Sequence, residues 1–164
     1  MESWDGKNNM LKAQDYIVRY LDEARLMQVA TQSGDQPWCC TVYFAHDNLN
    51  NLYWISLPDA RHSRDIQQNA KVAGTVVLPH AYGDPVQGLQ FEGTARAVFD
   101  DDEIRRMTVA YSERFNYPTL ANDIISGKNA HYLYQITPEQ FVLFDTLHFP
   151  TDPRQTWRLS TQTA

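Results

Sequence analysis

The chain has 164 residues, of which 43% are hydrophobic, 12% aromatic and 21% charged. That is the size and balance of one globular domain, here residues 1–164, with a core large enough to hold without staples. The formal net charge of −6 argues against broad binding to nucleic acid or anionic membrane, and any phosphate ligand would need a local positive site. Cys39 and Cys40 are sequence neighbours, so no disulfide framework is expected. No apolar run approaches the roughly 20 residues that span a bilayer. The start, Met1 to Gly6, lacks the basic and apolar regions of a leader, which makes the cytoplasm the expected compartment.

Residues 10–25 read as a helix, because Ile17, Tyr20, Leu21 and Ala24 fall on one stripe at i, i+3, i+4 and i+7. Residues 26–33 alternate and run into Gly34-Asp35, a strand ending in a hairpin turn. Residues 37–46 form the return strand, rich in aromatic and β-branched types. A turn over 47–51 leads to a third strand, Leu52 to Leu57, stopped by Pro58-Asp59. Residues 60–69 are a short helix and 71–78 a buried strand closed by Pro79. After a loop over 80–85, residues 86–99 are a long strand whose Gly88 and Gly93 suggest bulges or barrel corners.

Residues 101–115 form a helix with a capping-box-like start at Asp100 and Glu103 and an apolar stripe of Ile104, Met107 and Tyr111. The stretch 117–130 reads as a short helix with a loop. Residues 131–137 and 140–146 form a strand interrupted at Pro138, and a last short strand includes Trp157-Arg158-Leu159. The tail 160–164 is polar and expected to fray. This order has too few helices for parallel βαβ units; short strands with tight turns point to an antiparallel barrel.

The chemistry concentrates where strand 52–57 turns into the helix that begins near Ala60. A helix start offers free N–H groups and the positive end of the dipole. Arg61 can grip a phosphate bidentately. His62 and Ser63 add donors, and Ser56 at the strand end can reach the same ligand. The competing explanation is an ordinary solvated first turn with a chance basic pair.

Those residues, with Ile66, Asn69 and the strand Val72-Ala73-Gly74-Thr75-Val76, resemble the pyridoxamine 5′-phosphate oxidase-like FMN-binding split barrels. Family members usually carry Ser-Arg-Lys or a close variant where this chain has Ala60-Arg61-His62. The strand Gly88 to Ala95 and the hairpin Gln36 to Phe44 match in place and character. The resemblance covers roughly residues 12 to 145. The Arg61-His62 variant and the tail Phe144 to Phe149 are most similar to a small uncharacterised bacterial branch.

The resemblance implies a mainly β (α+β) fold: a six-stranded antiparallel split β-barrel with flanking helices. It implies a homodimer with two FMN sites at the interface. It also implies phosphate contacts from Arg61 and His62, to which the helix-start reading adds Ser63, with Ser56 and Ile55 near the flavin and Thr41, Val42 and Tyr43 along the isoalloxazine edge. A glutamine from the long strand would contribute. Alternation puts Gln87 and Gln90 on opposite faces, and Gln90 is preferred. The substrate face would be bordered by Trp54, Tyr43 or a partner aromatic. Phe44 and Ala45 stand where the oxidase has a basic residue for its substrate's phosphate, which counts against vitamin B6 oxidase activity.

The expected function is therefore an FMN-dependent oxidoreductase of unassigned substrate, with no catalytic side chain named. The alternatives are a flavin carrier or sensor, or the same barrel holding a deazaflavin or haem. Cys39 and Cys40 should point to opposite faces, so at most one meets a flavin. His46, His62, His80, His131 and His148 have no zinc-like spacing, and no metal site is expected. Trp157 and Arg158 are read as ordinary packing ahead of a lid over the cofactor. Arg64 is one helical step off the Arg61 face. The acids at 100–103 complement a helix dipole without metal.

Overall fold

The computed structural model describes residues 4–159. The elements in chain order are α1 (Trp4–Glu23), β1 (Leu26–Ser33), β2 (Gln36–Tyr43), β3 (Ala45–His46), β4 (Leu52–Ser56) and α2 (Arg61–Gln68). There follow β5 (Lys71–Val76), β6 (Gln87–Val98), α3 (Asp101–Phe115), α4 (Leu120–Ile125), β7 (Tyr132–Asp145) and β8 (Arg154–Arg158). All strand pairs are antiparallel. The path across the sheet is β2-β1-β5-β6-β7-β4-β3, with β8 added on β7. Because β2 and β3 are separated only by Phe44 yet sit at opposite ends of that path, the sheet curls round into a half-barrel.

The architecture is the expected one, with eight strands in place of six. The return strand breaks at Phe44, whose N–H still bonds back to Arg25 O while its side chain is fully buried. The segment before it pairs with β1 and the segment after it with β4. The eighth strand is the C-terminal one, longer than the sequence suggests. Helix α1 starts at Trp4, earlier than residue 10, and ends at Glu23; its stripe of Ile17, Tyr20 and Leu21, with Ala24 just past the end, is buried as expected. The tail 160–164, expected from sequence to fray, lies outside the described residues.

Pro138 does not interrupt its strand. It pairs with Gly93, at a register shift between Glu92 and Gly93 that leaves Glu139 unpaired with β6. A proline lacks an N–H and is tolerated where the ladder is already broken. Gly93 is required there: a Cβ would lie 2.3 Å from Thr137 O and 2.8 Å from Pro138 Cα. Gly88 has no such constraint.

Inside the half-barrel, Met27, Val29, Val72, Val76, Leu89, Phe91, Phe141 and Leu143 meet α1 residues Ile17 and Leu21 in the main core. Burying side chains of this size contributes about 1.5–3 kcal/mol each before the entropy cost. On the other side of β4, Tyr53 packs with Val98, Ile104 and Leu133, and Ile55 reaches α4. Arg114, in the last turn of α3, donates to the carbonyls of Leu21, Asp22 and Ala24, satisfying the C-terminal end of α1. Among the described residues no helix is long and apolar enough to cross a membrane.

Candidate functional site

Strand β4 runs inward to Ser56, and the Leu57-Pro58-Asp59 turn delivers Ala60 to the start of α2. Ala60 has extended backbone (φ −60°, ψ 148°), its side chain makes no capping hydrogen bond, and the first turn carries no acid. Arg64 N–H returns to Ala60 O and Ala60 N–H to Leu57 O. Among the described residues no acceptor takes the N–H groups of Arg61, His62 or Ser63. A helix start in this state is electropositive and has donors to spare.

Arg61 is the first residue of α2, and its side chain runs along the flank of the helix toward β2. Its guanidinium sits 4.8 Å from the centre of the Trp38 ring, its Nη2 is 3.4 Å from Gln36 O, and its Nε is 3.9 Å from Asp65 Oδ2. Asp65 is in turn held by the Thr31 hydroxyl at 2.9 Å. The arginine side chain keeps 38% of its surface in solvent. Arg64 turns away and donates to Asp59 O, which separates it from Arg61 as its place on the helix predicts.

His62 and Ser63 point inward. His62 is buried, with Nε2 2.7 Å from Ser56 Oγ. Burial holds its pKa below the ordinary histidine value, against the opposing pull of Asp65, so the ring is neutral at pH 7. The Ser63 hydroxyl is fully buried and donates to Leu57 O at 2.7 Å. In this arrangement Ser63 offers a ligand its backbone N–H and not its hydroxyl.

The remaining residues of the expected site divide by face. Cross-strand pairing sets Trp38, Cys40 and Val42 opposite Thr31, Val29 and Met27, which are buried inside the barrel. Thr41 and Tyr43 therefore face outward, with Tyr43 against Phe115 of α3. Ser56 and Ile55 diverge in the same way, Ser56 toward His62 and Ile55 toward α4. Gln90 is exposed on the outer sheet face, lining a concavity of about 410 Å³ with Gln28, Cys39, Thr75 and Arg154. Gln87 is on the opposite face, beside Asp145. Ser56, Arg61, His62 and Ser63 thus form one cluster, while Thr41, Tyr43 and Gln90 share the outer surface.

Several further expectations can be placed. Trp54 is fully buried and stacks on Tyr134 at 5.0 Å, so it cannot border a substrate. Its Nε1 and the Tyr134 hydroxyl are buried without a hydrogen-bond partner. Cys40 packs on the core, where burial pushes its thiol up to about 11, and Cys39 is exposed on the other face. No group of three or more metal-ligating side chains occurs among the described residues. Trp157 packs near Phe141, 6.1 Å between ring centres. What the sequence did not announce is Trp38. A tryptophan after a hairpin turn reads as strand packing, and only the register that brings it to Thr31, above Asp65, puts it under Arg61.

A family model described as pyridoxamine 5′-phosphate oxidase matches residues 13–144. A UPF0306 protein of Pasteurella multocida is 27% identical over 84 residues, 51% of this chain and 56% of that protein. Another, of Klebsiella pneumoniae, is 31% identical over 100 residues, 60% of this chain and 67% of that one. This chain thus spans between about half and two thirds of those relatives. Among solved structures, a conserved hypothetical protein of Mycobacterium tuberculosis superposes with a TM-score of 0.69 at 17% identity, covering 92% of this chain and 94% of that one. HutZ, a haem storage protein of Vibrio cholerae, superposes with a TM-score of 0.60 at 22% identity, covering 77% and 89%. Likeness at such identity speaks for the fold alone.

Proposed function

The chain belongs to the pyridoxamine 5′-phosphate oxidase family, and from that premise we propose that it binds FMN, with the phosphate on the open start of α2, as a flavin-dependent oxidoreductase. The observation that carries this is the pairing of three unclaimed N–H groups with the half-exposed Arg61 guanidinium on a chain whose net charge is −6. That donor set fits a phosphate: the backbone N–H groups and the planar arginine fork both match its oxygens. His62, bonded to Ser56, ties the first turn of α2 to the end of β4 beneath the site. Bound flavin would supply the hydride or electron chemistry. The protein's share is to fix the phosphate and to present Thr41, Tyr43 and Gln90 along the outer face. A second copy of the chain laid on that face would complete two sites in a homodimer.

Titration of the purified protein with FMN, followed by flavin absorbance and fluorescence, tests the reading. Saturable binding is expected, weakened by about 1.5–3 kcal/mol in Arg61→Ala through loss of a charge-assisted contact. A protein that takes up no FMN overturns the reading. A second reading is haem, because one structural neighbour is a haem storage protein. His80, His131 and His148 each engage Nδ1 with a nearby oxygen, the tautomer that leaves Nε2 for a metal. Titration with haemin in parallel, read by the Soret band, separates the two.

A further inference from the structure

The FMN reading leaves open how Arg61 is held ready. Arginine carries about 2 kcal/mol of rotamer entropy, so an exposed guanidinium is a poor grip unless something fixes it beforehand. Three neighbours contact it here. The Asp65 oxygen at 3.9 Å is too far for a hydrogen bond and is already bonded to Thr31. The Gln36 carbonyl at 3.4 Å takes one N–H at the long limit. The third contact is with a face: the guanidinium carbon lies 4.8 Å from the centre of the Trp38 ring. Stacking holds the plane of a guanidinium while leaving its in-plane donors free. Trp38 lies near the start of β2, whose backbone is paired with β1 along its length. Trp38 is 41% exposed, so its ring is accessible to the guanidinium.

Resting on the FMN reading above, we propose that Trp38 is a positioning residue for the phosphate: it is the platform that fixes the Arg61 guanidinium beside the first turn of α2, next to the N–H groups assigned to the anion. Trp38 then acts on the phosphate end of the ligand through Arg61 and makes no contribution to the flavin ring.

The test is a double-mutant cycle on the full chain, with FMN as the probe and riboflavin, which lacks the phosphate, as the comparison. Trp38→Ala should weaken FMN roughly fivefold, the worth of an exposed cation–π contact, and leave riboflavin affinity unchanged. Trp38→Phe, which keeps an aromatic face and guards against misfolding, should lose less. In Arg61→Ala, removing Trp38 as well should cost nothing further, because the platform then has nothing to hold. Losses that add, or an equal loss for riboflavin and FMN, overturn the proposal. The failure of the parent reading looks different: a wild-type chain that ignores FMN removes the cofactor, and one indifferent to Arg61→Ala moves the phosphate elsewhere. Independent Trp38 and Arg61 losses in an FMN-binding chain sink only the platform.

Discussion

Helices α2 and α3 both follow a strand, and their first turns are opposites. At α3, Asp100 accepts the Glu103 N–H at 2.9 Å, and Asp101, Asp102 and Glu103 fill the first turn with negative charge. The dipole is answered from within the chain. At α2 there is no side-chain cap and no acid in the first turn, which instead carries Arg61 and Arg64, with Asp59 just before it and Asp65 just after. A capped start contributes about 1 kcal/mol, which α2 forgoes. One helix is closed by its own carboxylates and the other is left open beside an arginine that packs on Trp38, and that difference is the ground for proposing an anion at the second.

Exchanging features between the two starts tests that contrast. The largest effect is expected from Ala60→Asp, which gives α2 the cap that α3 has. The new carboxylate would sit close to the phosphate position and weaken FMN by on the order of 2 kcal/mol. It should stabilise the apo protein by about 0.5–1 kcal/mol. Unchanged FMN affinity together with a raised Tm would show that the open start is unused. Next comes Asp100→Ala, which opens α3. It should cost about 1 kcal/mol, a fall in Tm of roughly 2–4 °C by calorimetry, with FMN affinity untouched.

The smallest effect concerns Glu103. Its carboxylate does not reach back to the cap; it pairs with both terminal nitrogens of Arg96 at 2.9 Å, so the capping box is only half formed. Arg96 holds the Glu103 pKa below the ordinary glutamate value. A carboxylate whose folded pKa is depressed adds stability above its unfolded value, about 4.3, and loses it as pH falls through the lower folded value. Glu103→Gln should therefore cost about 0.5 kcal/mol at pH 7, with the difference from wild type fading as the pH drops below about 4. Denaturant melts at pH 7 and pH 3 measure it; an equal deficit at both would assign the cost to packing.

The open start at Ala60 was legible from the sequence because the signals are local: a strand, Pro58-Asp59, then basic residues with no cap. β1 and α3 were legible to the residue for the same reason. The divisions within the site were not all so plain. Alternation foretold that Gln87 and Gln90 would part and that Cys39 and Cys40 would face opposite ways. It applies equally to Ser56 and Ile55, grouped together by resemblance yet separated by the pleat. The inward turn of Ser63 depends on the Leu57 carbonyl that receives its hydroxyl. The burial of Trp54 depends on Tyr134, some 80 residues away and therefore beyond any local pattern. Pro138 misled for a related reason. Its tolerance is decided by Gly93 on the adjacent strand.

That pairing of Pro138 with Gly93 has a consequence for the phase of the whole wall. On β7, Ile136 and Phe141 both line the interior, although an odd number of steps separates them. The extra residue, Glu139, resets the alternation. Residues 137–140 therefore act as a frame-shift corrector. A substitution at Glu139 leaves the count intact, whereas deleting it would put Phe141 and Leu143 out of step with Phe91 and Leu89 and turn the upper wall inside out.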